Sequence, residues 1–122
     1  MNNYRARRLG ELIRDLISEL MIRKIKDPRV ALATITEVEM ESNLRVARVY
    51  YSVQGDEQTR RNADKGLRSA RGYMKRELSR ALSIRFMPDL VFEFDSSLAR
   101  AHRIRGLLNE RSEEIRTGKD NG

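Results

Sequence analysis

The chain has 122 residues, enough for a single domain with one hydrophobic core, and a net charge of +7. It contains no cysteine, which excludes disulfides, cysteine-bound zinc, iron–sulfur clusters and thiol nucleophiles. No apolar run approaches the roughly 18 residues that a membrane-spanning helix needs, so the composition predicts a soluble, cytoplasmic protein.

The first half of the chain predicts a helix followed by a hairpin. Apolar side chains recur at helical spacing over residues 4–25, and Pro28 ends this helix near Lys26. Alternating side chains predict strands at 32–40 and 44–53, whose short polar connection makes them antiparallel. On the first strand one face is predicted to carry Leu32, Thr34, Thr36, Val38 and Met40. On the second the buried set is predicted to be Ala47, Val49, Tyr51 and Val53.

The second half predicts a helix over residues 57–83, interrupted at Ala70-Arg71-Gly72, and then a strand at 90–94. A last helix begins at Ser96 or Ser97 and reaches about Glu114, with an apolar stripe that faces inward. That stripe consists of Leu98, Ala101, Ile104 and Leu108. The sequence thus predicts an α+β domain over residues 1–116, with helices on one face of a three-stranded sheet, and a disordered tail at 117–122.

Positive charge is concentrated in two stretches of the sequence. Residues 1–30 have a net charge of +4 and residues 59–85 of +7, whereas residues 31–58 and 86–122 have −3 and −1. This asymmetry predicts an oriented surface for a polyanion such as RNA.

The strongest candidate site is the basic stretch around the break at Ala70-Arg71-Gly72. A new helix start there would expose unpaired backbone N–H groups, which attract phosphate. Its basic flanks are Arg60, Arg61, Lys65, Arg68, Lys75, Arg76, Arg80 and Arg85. The simpler alternative is a solvated helix face with a stray glycine. K homology (KH) domains hold RNA with a Gly-x-x-Gly loop, which is absent because Ser69 stands where the first glycine is needed.

A second candidate is the end of the first helix, where Lys24, Lys26 and Arg29 could contact phosphates. The alternative is a helix end at which these cations favour the negative pole of the helix dipole. Tyr73, beside the break, is the best candidate for stacking on a base. The three phenylalanines are expected in or near the core, namely Phe86, Phe92 and Phe94.

Enzyme sites are poorly supported by the sequence. The single histidine, His102, has no serine–aspartate or metal-ligand set at suitable spacing. Glu37, Glu39 and Glu41 alternate on a strand and could hold Mg²⁺, but a solvated strand face explains them more simply. We therefore expect no catalytic residue, metal or cofactor.

The chain closely resembles the bacterial ribosome-binding factor A family. Four blocks carry the resemblance over residues 4–109: Arg5 to Arg8 leading into Ile25-Lys26-Asp27-Pro28-Arg29; Thr36-Glu37-Val38-Glu39-Met40 with Asn43-Leu44 and Ala47-Arg48-Val49-Tyr50-Tyr51-Ser52-Val53; Ala70-Arg71-Gly72-Tyr73-Met74-Lys75-Arg76-Glu77-Leu78; and Pro88-Asp89-Leu90-Val91-Phe92-Glu93-Phe94-Asp95-Ser96-Ser97. The resemblance implies a type II KH fold in which an Ala-x-Gly kink replaces the Gly-x-x-Gly loop, and Ala70-Arg71-Gly72 matches that kink.

The resemblance further implies a noncatalytic assembly factor for the small ribosomal subunit (30S) that contacts its 16S rRNA. Such factors support late maturation of the subunit, including the 5′ end of 16S rRNA, and matter most in the cold. A monomer that works beside other assembly factors is expected. The RNA-binding residues expected in this chain are Arg5, Arg8, Lys24, Lys26, Arg29, Lys65, Arg68, Ala70, Arg71, Gly72, Tyr73, Lys75, Arg76, Arg80 and Arg85.

Two other classes of function stay open at this point. A protein–protein adaptor would use the acidic strands or the final helix, and would bind its partner without RNA. An RNA-processing enzyme would trim precursor rRNA by itself.

Overall fold

A computed structural model describes residues 3–96, 98–106 and 108, and this part of the chain forms three α-helices and a three-stranded sheet. In chain order the elements are α1 (Asn3–Arg23), a 3₁₀ turn (Val30–Leu32), β1 (Ala33–Met40), β2 (Val46–Val53), α2 (Glu57–Ala81), β3 (Asp89–Phe94) and α3, whose described helical residues are 98–106 and 108. The predicted α+β class and order of elements are confirmed. The predicted tail, and the final helix beyond residue 108, lie outside the described residues.

The sheet has the order β1-β2-β3, in which β1 and β2 are antiparallel and β2 and β3 are parallel. The hairpin predicted for β1 and β2 is confirmed. A parallel neighbour requires a crossover connection, and α2 provides it. The arrangement is compatible with a KH-like architecture.

The core lies between the sheet and the pair α1 and α2. Ile13 and Ile17 of α1 meet Leu67 and Met74 of α2, and all four are completely buried. From β2 the core takes Ala47, Val49 and Tyr51, as the alternation predicted, while Val53 is partly buried at its edge. Burying each large apolar side chain contributes about 1.5–3 kcal/mol, so this layer is the main source of stability.

A bulge in β1 changes which of its side chains face the core. Pairing with β2 shifts register between Ile35 and Glu37, so that Thr36 is an extra residue. Ala33 and Ile35 before the bulge and Val38 and Met40 after it are all buried. The prediction that alternate residues from Leu32 to Met40 share one face was therefore wrong, because one extra residue inverts the alternation.

The helix α3 is held to the fold by polar contacts instead of its apolar stripe. Ser96 caps it, since its Oγ accepts a hydrogen bond from the Ala99 N–H at 3.1 Å. The prediction of an inward-facing stripe was wrong, because the stripe residues are solvent-exposed. Leu98, for example, is 72% exposed and Leu108 is 57% exposed.

The polar contacts of α3 converge on Arg103. Its guanidinium donates to both carboxylate oxygens of the buried Asp95, at 2.7 and 2.8 Å, and to Glu37 at 2.9 Å. It also lies 3.9 Å from the ring centroid of Tyr50. Tyr50 alternates with the buried Tyr51, so Arg103 reaches the sheet face opposite to the core. The expectation that all helices cover one face holds for α1 and α2 and not for α3.

Candidate nucleic-acid interface

The helix α2 is continuous from Glu57 to Ala81, and the predicted interruption at Ala70-Arg71-Gly72 was wrong. It begins at Asp56, whose carboxylate accepts the Thr59 N–H at 2.9 Å, and this hydrogen bond lowers the pKa of Asp56. Leu67 and Met74, on either side of Arg71, are fully buried. Their burial outweighs the roughly 1 kcal/mol that a mid-helix glycine costs, so the helix does not restart.

Gly72 is nevertheless unusual, because the fold itself does not require a glycine there. A Cβ at this position would meet Arg76 Nη1 at 3.8 Å, an ordinary contact with the end of a flexible side chain. At Gly66, by contrast, a Cβ would lie 2.8 Å from the Cβ of Arg29 and 3.2 Å from Val30 N. Gly66 is thus required for packing on the 3₁₀ turn, whereas Gly72 leaves bare backbone on the exposed side of α2.

Cations surround this bare backbone along the solvent-facing side of α2. We call this surface the α2 face; its residues are Lys65, Arg68, Ser69, Gly72, Arg76 and Arg80, all exposed. From the first to the last of these positions the helix rises about 22 Å. Arg68 pairs with Asp64 at 2.7 Å and Arg80 with Glu77 at 3.1 Å. Within the described residues Lys65 and Arg76 form no ion pair, so the face keeps net positive charge.

Four of the expected RNA-binding residues are engaged by the protein itself. Ala70 packs against the core. The Arg71 guanidinium lies 5.8 Å from the Phe92 ring centroid, and its buried Nε has no hydrogen-bond partner within the described residues. Lys75 pairs with Asp89 at 2.8 Å, which lowers the pKa of that carboxyl. Tyr73 is half-buried, with the Arg76 guanidinium 5.9 Å from its ring centroid.

The end of α1 contributes exposed cations beside the α2 face. Lys24 and Lys26 are exposed, and Lys24 lines one groove with Arg80 of α2. Arg29 is held by Asp27, which accepts its backbone N–H at 2.9 Å and its Nη2 at 2.7 Å. These bonds lower the pKa of Asp27 and raise that of Arg29. Arg29 therefore forms the turn before β1 and is less available to a phosphate than Lys24 or Lys26.

Three further expected residues lie outside the α2 face. Arg8 is exposed on α1, while Arg5 and Arg85 are exposed and border one cleft beyond the end of α2. The same cleft brings in two residues that the sequence did not indicate as a site, Arg45 and Phe86. Phe86 is 76% exposed, so its expected place in or near the core was wrong. No local pattern could have shown this, because the cleft joins three segments that are distant in sequence.

The candidate metal ligands considered from the sequence are engaged elsewhere in the described residues. The described residues contain no group of three His, Cys, Asp or Glu side chains placed to hold a metal ion. Of the glutamates considered for Mg²⁺, Glu37 bonds Arg103 and Glu41 bonds Arg48. In the described part of the chain, no helix is both long and apolar enough to cross a membrane.

Known proteins identify the family of this chain. The family model for ribosome-binding factor A matches residues 5–108. The chain belongs to the ribosome-binding factor A family. It is 42% identical over 106 residues to ribosome-binding factor A of Citrifermentans bemidjiense, and the match covers 87% of this chain and 89% of the relative.

Solved structures of this family have the same fold. The crystal structure of ribosome-binding factor A from Thermus thermophilus matches with a TM-score of 0.62 and 25% identity, over 72% of this chain and 93% of that one. A homology model of the Thermus thermophilus factor, fitted into a cryo-EM map of a 30S complex, matches with a TM-score of 0.59 and 24% identity, over 71% and 91% of the two chains. The family resemblance inferred from the sequence is confirmed.

Proposed function

We propose that this chain binds the small ribosomal subunit through the backbone of its 16S rRNA, using the α2 face. Membership of the ribosome-binding factor A family supports this, as does the Thermus thermophilus factor fitted into a 30S complex. The observation that carries the proposal is the α2 face itself, where Lys65 and Arg76 flank the bare backbone of Gly72. A glycine that costs the helix stability and fills no packing role is explained if the RNA backbone approaches there.

In this proposal the chain acts by binding and carries out no chemistry. A protein that binds one arrangement of rRNA more tightly than another shifts the population toward the first. The size of the shift is limited by the difference between the two affinities. We place the chain in late maturation of the subunit, including the 5′ end of 16S rRNA, with its largest effect in the cold.

The proposal extends to the form in which the chain works. We propose a single KH-like RNA-binding domain over residues 1–116 that acts as a cytoplasmic monomer beside other assembly factors. The basic residues at the end of α1, chiefly Lys24 and Lys26, would extend the α2 face, because Lys24 and Arg80 border one groove.

Sedimentation of cell lysate through a sucrose gradient tests this function. We expect the wild-type chain to migrate with free small subunits and to be absent from 70S ribosomes and polysomes. The double variant Lys65→Glu/Arg76→Glu should move to the top of the gradient, because it reverses exposed charges that support no ion pair within the described residues. Substituting Arg71 or Lys75 is less informative, since each contacts β3 or its first residue.

A charge-matched control comes from α3. The variant Arg100→Glu/Arg105→Glu changes the net charge equally at two exposed positions outside the expected site, and it should still migrate with small subunits. Equal loss in both variants would mean that net charge alone drives binding. Retention of the α2 double variant on subunits, with an unchanged circular dichroism spectrum, would overturn the role of the α2 face.

A further inference from the structure

A cleft of about 870 Å³ opens beyond the C-terminal end of α2. It lies where α1, the β1–β2 turn and the segment before β3 meet, and its principal lining residues are Arg5, Leu9, Leu44, Arg45, Arg85 and Phe86. Its volume falls in the range of sites that hold small organic groups, which is about 300–1,000 Å³. The cleft is separate from the α2 face, but Asp89 on its border bonds Lys75 of α2.

Phe86 gives this cleft an aromatic surface that the fold does not use. Its side chain is 76% exposed, and it is absent from the hydrophobic core and from the residues packed on it. The Arg85 guanidinium lies 5.5 Å from its ring centroid, which leaves most of the ring open to solvent. An exposed aromatic ring beside an arginine is the combination on which unpaired nucleobases stack in single-stranded nucleic-acid sites.

The charges of the cleft favour an anionic ligand. Arg5, Arg45 and Arg85 are exposed, and within the described residues none of them pairs with a carboxylate. Asp89 is the one acidic side chain among the described lining residues, and it pairs with Lys75 at 2.8 Å. Three guanidinium groups that have no carboxylate partner among the described residues, beside an exposed ring, match the two chemistries that a nucleotide combines, a flat base and a phosphate.

The turn that carries Arg45 is ordered by local hydrogen bonds. The Asn43 side-chain oxygen accepts the Arg45 N–H at 3.0 Å, and Glu41 O accepts the Leu44 N–H at 2.9 Å. Leu44 has φ of 61°, a conformation that a leucine rarely adopts, and its side chain packs against the core. Arg45 O in turn accepts the Asp89 N–H at 2.9 Å, which ties the turn to the start of β3. The cleft wall is therefore built before any ligand arrives.

We propose that this cleft binds an unpaired nucleobase of a single-stranded RNA segment, stacked on Phe86, with neighbouring phosphates on Arg5, Arg45 and Arg85. This inference rests on the proposed function, because it takes rRNA as the ligand. It adds a subsite that contacts a base to an α2 face that contacts backbone. An acidic protein segment could also pair with the arginines, but it would leave the exposed Phe86 ring without a flat partner, which is why we favour RNA.

The test compares two probes on the full chain: a short unstructured single-stranded RNA and an abasic ribose–phosphate strand of equal length and charge. Phe86→Ala should weaken binding of the RNA roughly 5- to 150-fold, the usual effect of losing one stacked base, and should leave the abasic strand unchanged. Phe86→Tyr keeps the ring and should restore binding. The matched control is Ile22→Ala, which truncates a highly exposed apolar side chain on α1, away from the cleft. It should change neither the affinity for the RNA nor that for the abasic strand.

The phosphate contacts are tested by salt dependence. Arg45→Ala should lower the slope of log affinity against log salt by about 0.7 for the RNA, while Phe86→Ala should leave the slope unchanged. If either probe binds too weakly for an affinity, the Phe86 ring resonances are followed by NMR up to millimolar RNA. Stacking should shift them for the RNA and not for the abasic strand.

Three results would overturn the inference. The first is an equal loss of affinity for both probes in Phe86→Ala. The second is unchanged RNA binding in that variant, together with Phe86 ring resonances that do not shift in the wild-type chain. The third is a Phe86→Ala variant that loses a protein partner while its RNA binding stays intact. Failure of the broader proposal looks different, because the wild-type chain would then not migrate with small subunits at all. If the wild-type chain does migrate with small subunits and one of these three results is obtained, only the base subsite is wrong.

Discussion

At the scale of single residues, two glycines of α2 have opposite reasons to be glycine. Replacing either by alanine adds helix propensity worth up to about 1 kcal/mol. At Gly72 the new Cβ has room, so we expect Gly72→Ala to raise the free energy of unfolding by about 0.5–1 kcal/mol. At Gly66 the Cβ would press on Arg29 and Val30, so Gly66→Ala should lower it. Urea unfolding followed by circular dichroism measures both.

The substitution that should stabilise the helix at Gly72 should also change function. Gly72→Ala should weaken small-subunit binding, because the added methyl group occupies the position where we place the RNA backbone. Ser69→Ala, one turn earlier on the α2 face, is the control, since it keeps a Cβ that is already present. A Gly72→Ala protein that is more stable and binds as well as wild type would contradict the close approach of RNA at this position.

At the scale of elements, α3 depends on the ion pairs of Arg103. Asp95 is buried and accepts hydrogen bonds from Arg103 and from the Thr36 hydroxyl at 2.6 Å. Arg103→Ala leaves that carboxylate buried with one partner fewer, which costs about 3–5 kcal/mol for a fully buried pair and less here, where Arg103 is partly exposed. We expect amide hydrogen exchange over residues 98–106 to become fast while α1 and α2 stay protected.

A second substitution separates the two effects of losing Arg103. Adding Asp95→Asn removes the unpaired charge, so the double variant should regain part of the free energy of unfolding. Exchange over residues 98–106 should stay fast, because α3 still lacks its anchor and its apolar stripe is exposed. Slow exchange there in Arg103→Ala would show that contacts other than Arg103 hold α3.

The elements also show where local sequence patterns predict burial and helix boundaries correctly and where they fail. The alternation in β2 is unbroken, and it correctly predicted that Tyr51 is buried. In β1 a single extra residue, Thr36, inverts the pattern, and its mark in the sequence is the pair of consecutive polar residues Thr36-Glu37 between the buried Ile35 and Val38. Gly72 predicted a helix break from local propensity, but the packing of Leu67 and Met74 overrides it. The basic character of the site was readable from the sequence, whereas the pairing of each cation required the tertiary structure.

At the scale of the whole molecule, the two sides of the sheet differ in how their charges are satisfied. On the outer face Arg48 pairs with Glu41 and Glu93, and Arg103 pairs with Glu37. On the helical side, Lys65 and Arg76 have no ion-pair partner within the described residues. These outer-face pairs neutralise one another, whereas the α2 face keeps cations without an ion-pair partner among the described residues, which favours a polyanion on that face.

The same distribution predicts how stability depends on pH. The pKa values of several carboxyls are lowered in the folded chain, chiefly by hydrogen bonds from basic groups or backbone N–H groups, and they include Asp27, Asp56, Glu57, Asp89 and Asp95. A carboxyl whose pKa is lower in the folded chain than in the unfolded chain stabilises the fold at pH values above its unfolded pKa, near 4. This contribution is lost as the pH falls through the folded pKa. We expect the urea midpoint to be flat from pH 7 to about pH 5 and then to fall.

Asp95 lies deepest of these groups, so Asp95→Asn should lower the midpoint at pH 7 and make its decline in acid shallower. Asp15→Asn, at an exposed carboxyl on α1, should leave the profile nearly unchanged. An equally steep acid decline in Asp95→Asn would show that the general growth of positive charge, and not this ion pair, limits stability in acid.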